Sequence, residues 1–521
     1  MPLFELVIAL LLAGAVLSAW ARRISVPYPA LLALAGAGLA LLPNVPSVTL
    51  DPELALALFL APVLLDAAFD SSPRDLMRDW RPVVGLAVAA VAVTIGAVAV
   101  VARLCVPGLP WPAAIALGAI VAPPDAAAAT AVLKQMRPPH RLLVILEGES
   151  LFNDASALLV YRLAVTAAAA GSFSPWSALP LLVVVSVGSV LLAAVLSRLT
   201  LLIVGRVRDV ATSVIIQFLT TFAVWILAER LRLSGIITIV TYAILTARSA
   251  PERMPARLRI PSYAVWEVVV FVLNVLAFIL VGLQLRPILQ RLDRPQLLAY
   301  LATAAAVCGA VIVVRMLWAL AYELLGRWAR PGDPRDPRLA SRGSLRSAIA
   351  IGWSGMRGIV TLAAGLALPS AFPGRDLILF TAFSVVLVTL VLQGGTLAPL
   401  MRLLRLEDDG TVEGEIRRAR AETARAGLAA LQGTGENGMT VLLTRKYEAR
   451  LRRADGTGPA AAEEVEDLPR YAEALRRAQE AERRKLIELR ARGVIGDDAF
   501  HRVEEELDWA DLHAEAQRGA V

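Results

Sequence analysis

The sequence predicts an all-α polytopic membrane protein of about 13 transmembrane helices followed by a soluble helical tail, and three observations carry that expectation. Of the 521 residues, 57% are hydrophobic and 19% charged, with a mean hydropathy of +0.63, a balance too apolar for soluble domains of this length. Apolar runs of about 18 to 28 residues recur as far as residue 406, each long enough to cross ~30 Å of hydrocarbon at ~1.5 Å per residue. From Glu407 onward Arg, Glu, Asp and Ala dominate, which divides the chain into a transmembrane domain, 1–406, and a helical tail, 407–521.

In chain order the expected spans centre on 3–20, 27–43, 52–69, 83–104, 111–134, 142–170, 178–204, 210–229, 233–247, 263–285, 298–325, 344–369 and 377–401. The first begins MPLFELVIALLL, with no basic leader and no small-residue cleavage site, and reads as a retained span. Loops after odd-numbered spans carry Arg22, Arg23, Arg74, Arg78, Arg81, Lys134, Arg137, Arg141, Arg206, Arg208 and the Arg clusters at 248–259 and 327–342. Loops after even-numbered spans carry about six basic residues, Arg230, Arg232, Arg286, Arg291, Arg294 and Arg375. Positive charge collects on the cytoplasmic side, so the N-terminus is expected outside and the tail inside.

The same distribution removes several function classes. The formal charge of +7 sits in short loops facing anionic lipid and implies no nucleic acid partner. Cys105 and Cys308 are isolated in apolar runs, offering neither a disulfide framework nor a metal cluster. His140, His501 and His513 all fall outside the spans, which leaves intramembrane proton chemistry to carboxylates.

Charges at membrane depth are few: Asp66, Asp125, Glu147, Glu149, Asp154, Glu267, Arg315 and Arg357. Each costs about 2.5 to 3.5 kcal/mol at a helix centre, so each is expected to be paired, to face water or to work. Asp125 lies ~21 Å along the fifth span, Asp154 ~20 Å along the sixth and Arg357 at a matching depth in the twelfth. At roughly 100° per residue, Ser150 and Glu147 share a stripe with Asp154, while Asn153 lies about 100° away and Glu149 about 140° away. Asp154 is therefore the expected working carboxylate, and Glu149 is expected to form a buried salt bridge with Arg357, the cation at its depth. Glu147, about two turns nearer the cytoplasm on the Asp154 face, is a candidate to line an access cavity. Glu267 and Arg315 read first as packing contacts, with transport the lesser alternative.

The fifth and twelfth spans also share breakers at their midpoints, Pro123 and Pro124 before Asp125, and Gly352, Gly355 and Gly358 around Arg357. Broken helices at corresponding places in two halves point to a transporter site in an inverted repeat of roughly six plus six helices.

Together GAIVAPPDAAAATAVLK, ILEGESLFNDASALLVYRLAV, VVVFVLNVLAFILVGLQL and IGWSGMRGIVTLAAGLALP resemble the monovalent cation/proton antiporters of the CPA1 group, bacterial relatives of the NHE sodium/proton exchangers. The resemblance spans the membrane domain and implies an NhaA/NHE-like fold with two crossed broken helices. It makes Asp154 the ion- and proton-binding carboxylate with Asn153 and Ser150 beside it, puts Asp125 at the crossing and pairs Glu149 with Arg357. It also makes Asp66 a cavity-lining acid, and implies a homodimer in a bacterial inner membrane. One departure is Pro124, where relatives often carry a threonine.

Sodium, the expected cargo at Asp154 and Asp125, is a hard cation that takes oxygen ligands, and a proton competes for the same carboxylate. Competition at one anionic site gives a sodium/proton antiporter, with no enzymatic step and no cofactor. The Asn153–Asp154 pair, where electrogenic relatives carry two aspartates, favours one-for-one electroneutral exchange. A potassium/proton antiporter is the nearer alternative and a cation channel the more distant one. In the tail, Leu468–Leu512 reads as two helices parted by Gly493 and Gly496.

Overall fold

The computed structural model describes residues 2–24, 26–42, 54, 56–170, 175–254, 256–290, 294–329 and 344–431, with scattered positions between 444 and 452 and at 509. All regular structure among these residues is helical. In chain order the helices are α1 (Pro2–Ile24), α2 (Tyr28–Ala40), α3 (Ala61–Asp70), α4 (Pro73–Arg78), α5 (Trp80–Val84), α6 (Val91–Cys105), α7 (Trp111–Val121), α8 (Ala126–Met136), α9 (His140–Ala170) and α10 (Pro175–Val204). They continue as α11 (Val210–Arg230), α12 (Gly235–Arg253), α13 (Ala256–Leu283), α14 (Leu285–Leu289), α15 (Arg294–Ala329), α16 (Leu345–Trp353), α17 (Ile359–Leu366), α18 (Arg375–Val388), α19 (Gly394–Leu404) and α20 (Thr411–Leu431). Wider π turns precede α3 (Leu56–Leu60), join α5 to α6 (Gly85–Ala90) and join α18 to α19 (Thr389–Gln393).

The chain divides into two units, Met1–Asp409 and Gly410–Val521. The helical pair expected over 468–512 lies outside the described residues, Trp509 excepted.

Among the described residues, seven helical stretches are long and apolar enough to cross a membrane: Trp80–Cys105, Trp111–Met136, Val183–Val204, Val210–Arg230, Leu258–Leu289, Gln296–Leu325 and Arg375–Leu404. Ile8–Ala21, Tyr28–Ala40 and Gly235–Ala250 are shorter apolar helices. Three expected spans fall in neither group: the third, described as a π turn and the 10-residue α3, and two others for a chemical reason. α9 has ample length at 31 residues but carries Glu147, Glu149 and Asp154 in its middle. The twelfth expected span is split between α16 and α17, of 9 and 8 residues.

Three apolar clusters surround α9. One joins α2, α8, α13 and α18 through Leu32, Leu133, Phe278 and Phe383. A second joins α6, α7, α15 and α18 through Ile95, Leu117, Val307 and Ile378. The third joins α3, α10, α11 and α12 through Leu64, Ala193, Val224 and Ile239. In lipid such contacts hold helices together by close packing, since the tails are as apolar as leucine. α9 touches members of every side of this bundle, including α3, α7, α8, α12 and α16.

Candidate functional site

Two helices of the membrane unit stop part-way. α7 ends at Val121 because Pro123 and Pro124 offer no N–H to its last carbonyls, and helix resumes only at Ala126. α16 ends at Trp353 and α17 begins at Ile359, with Gly355 and Gly358 between them. The unwound stretches hydrogen-bond to each other: the Asp125 N–H donates to the Met356 carbonyl at 2.7 Å, and Arg357 Nε donates to the Val121 carbonyl at 2.7 Å.

Each break exposes helix ends, and one charged residue answers each kind. Asp125 caps α8, its Oδ1 accepting from the Ala127 N–H at 2.8 Å. Gly358, the first residue before α17, lies so close that a Cβ there would overlap the Asp125 carboxylate. A negative group thus sits at the N-terminal ends of two half-helices, where the backbone dipoles favour it. Arg357 does the converse, donating to Val121 at the end of α7 and to the Gly355 carbonyl just past α16. Its own N–H donates to Thr389 Oγ1 at 3.0 Å, the first residue of a π turn. The guanidinium, 1% exposed, satisfies carbonyls that a continuous helix would have satisfied itself.

α9 fastens this break from the side. Asn153 Nδ2 donates to the Pro124 carbonyl at 2.9 Å, and Ser150 Oγ accepts from the Ala126 N–H at 3.3 Å. Lower on the helix axis, Ser156 Oγ donates to the Ala87 carbonyl in the π turn between α5 and α6, at 2.6 Å. The other amide oxygen of Asn153, Oδ1, is buried with no hydrogen-bond partner among the described residues. Next to it Asp154 is 5% exposed, with Asp125 as the charged group that acts on it. A nearly buried carboxylate, an unpartnered amide oxygen and a hydroxyl thus lie on the stretch of α9 that is fastened to the unwound 124–126 backbone.

The expected Glu149–Arg357 pair is corrected. Glu149 is bound by both terminal nitrogens of Arg315, Nη1 to Oε1 and Nη2 to Oε2 at 2.8 Å, and Arg315 Nη2 also donates to the Ile351 carbonyl at 3.1 Å. Depth along a helix selected Arg357, which feels the Glu149 charge but turns its Nε and Nη1 to the carbonyls at the breaks. Arg315 on α15 meets the face of α9 opposite Asp154, as the ~140° offset of Glu149 requires.

Asp66 and Glu267 line one cavity of about 520 Å³ with Asp70 and Lys134. Glu147, expected along such a cavity, forms an ion pair with Lys134 at 3.4 Å. Thr389 and Lys134 escaped the sequence reading: a hydroxyl midway through an apolar run marked the first, and the second was counted only as a loop charge.

A family profile for the transmembrane sodium/hydrogen exchanger matches residues 7–403. An uncharacterized Na(+)/H(+) exchanger of Mycobacterium tuberculosis is 30% identical over 526 residues, covering 97% of this chain and 95% of that protein. A sodium, potassium, lithium and rubidium/H(+) antiporter of Bacillus subtilis is 31% identical over 413 residues, covering 75% of this chain and 60% of the relative. In fold the chain is similar to the sodium proton antiporter MjNhaP1 of Methanocaldococcus jannaschii, with a TM-score of 0.59 at 18% identity over 75% of this chain and 98% of the other. The resemblance carried by the GESLFND and APPD segments is thus borne out, and the chain belongs to the sodium/hydrogen exchanger family.

Proposed function

We propose that the protein exchanges sodium for protons across a bacterial plasma membrane, one for one, by alternating access, with both ions competing for Asp154. The observation that carries this reading is the Asp154 carboxylate, 5% exposed, beside the unpartnered Asn153 Oδ1. A dehydrated sodium ion needs several oxygen ligands. Asp154 and Asn153 Oδ1 supply two, Ser150 Oγ keeps a lone pair beyond its bond to Ala126, and Asp125 completes the negative field. When sodium is absent a proton takes the same carboxylate, because an unpaired charge in a low-dielectric site is costly. Two cargoes for one seat is the coupling. The reciprocal bonds between the breaks support crossed broken helices within an inverted repeat. The basic loops support an N-terminus outside and a tail inside. The homodimer rests on the resemblance alone. Such exchange calls for neither a resident cofactor nor a catalytic nucleophile.

In everted vesicles, sodium should collapse an imposed pH gradient, and Asp154→Asn should abolish that response at normal protein abundance. Wild-type rates in Asp154→Asn would remove the carboxylate from the mechanism. Potassium in place of sodium is the second reading, favoured by the Bacillus subtilis relative whose name includes both cations. The same assay run with sodium, potassium and lithium in turn separates the two.

A further inference from the structure

The cavity of about 520 Å³ opens between α3, α8, α10, α11, α12 and α13, walled on one side by Tyr263 and Trp266. Its charged lining is Asp66 and Asp70 from α3, Arg259 and Glu267 from α13 and Lys134 from the last turn of α8. α8 is the half-helix whose other end is capped by Asp125, so Lys134 and the exchange centre sit at opposite ends of one short rod of 11 residues.

Lys134 is shared. Its charge acts on Asp66 and on Asp70, and its Nζ lies 3.4 Å from Glu147 Oε1 on α9. Glu267 in turn acts on Asp66 as a like charge. With its side chain 64% exposed, Lys134 is not locked to any one of these partners; an exposed ion pair of this kind is weak and exchanges easily. An ammonium on a four-carbon stem is a compact, mobile point charge, the nearest thing a side chain offers to a free monovalent cation.

We propose that Lys134 is a tethered competitor for the cations that enter this cavity, and that it sets their apparent affinity from that side without setting the turnover rate. The inference rests on the exchange reading above. While the ammonium neutralises Asp66, Asp70 and Glu147, an arriving sodium ion meets a smaller negative field. Once a cation is present in excess, the ammonium moves aside, and the steps at Asp154 proceed at their own rate. The residue tunes cation affinity and touches no reacting group.

The test is a split between KM and maximum rate. Initial rates of sodium-driven proton movement are measured in everted vesicles across a sodium series for wild type, Lys134→Gln and Lys134→Arg. Lys134→Gln should lower the apparent KM for sodium by about three- to fivefold, the size expected of one exposed charge, with the maximum rate within about twofold. Lys134→Arg, which keeps the charge, should restore the wild-type KM. An unchanged or raised KM in Lys134→Gln, or an arginine variant that behaves like the glutamine one, overturns the assignment. If the glutamine variant fails to accumulate, Lys134→Met retains the apolar stem and is held to the same KM. A second arm measures ²²Na⁺ binding to the purified full-length protein by scintillation proximity. A wild type that binds sodium yet moves no protons would sink the exchange reading alone. Lys134→Gln must then bind three- to fivefold more tightly, and equal binding overturns the tethered competitor by itself.

Discussion

Glu149 and Arg315 are withdrawn from solvent to 1% and 4% exposure and hold each other through two nitrogen–oxygen contacts. Removing one partner leaves the other as an uncompensated buried charge, a loss of about 3 to 5 kcal/mol, whereas removing both charges is often close to neutral. Arg315→Ala should therefore deplete folded protein, and adding Glu149→Gln should restore much of it, read as the monodisperse peak in fluorescence-detected size exclusion. Arg357→Ala should not be rescued by Glu149→Gln, because its donors serve backbone carbonyls; rescue there would reinstate the pairing expected from depth. The contrast shows what sequence can carry at this scale. Counting residues gives the depth of a charge, and the helical wheel gives its bearing, which separated Glu149 from Asp154 correctly. Neither tells which helix stands on that bearing, and so Arg315 was passed over for Arg357.

Among elements, α2 and α13 approach until backbone meets backbone. A Cβ on Gly36 would strike the Ile279 carbonyl, and one on Gly282 would strike the backbone of α2 at Ala33 and Ala37. Small residues at a crossing let two helices come close enough for dispersion to act over the whole contact. Gly282→Val should part them and lower the melting temperature of the purified protein, since overpacking costs about 1 to 3 kcal/mol even where side chains can yield. Gly38→Ala, on α2 with open space around it, should melt like wild type. Equal melting of both variants would show that the contact carries no weight. The breaks in α7–α8 and α16–α17 were legible in advance because proline and glycine act on their own stretch of backbone. The π turns were not, since nothing local distinguishes TLVLQ from an ordinary helical turn; Thr389 gained its role from Arg357 across the fold.

For the molecule as a whole, the orientation proposed from the basic loops is one that two cysteines can report. Cys105 is exposed at the end of α6, on the side expected to face outward, and Cys308 is buried in α15. A membrane-impermeant maleimide added to intact spheroplasts should label Cys105 and spare Cys308. Labelling of Cys105 only after everting the membrane would invert the topology. Span number was less legible than span existence, because the helix that holds the carboxylates and the helix that is split are the ones whose function departs from plain apolar composition. The Glu149–Arg315 pair also has a consequence in time. Its partners are 166 positions apart in the chain, and a ribosome adding about 5 to 20 residues per second reaches Arg315 roughly 8 to 33 s after Glu149. During that interval the newborn α9 has its acid but not its counter-ion. The last third of the membrane domain thus completes a helix made long before it.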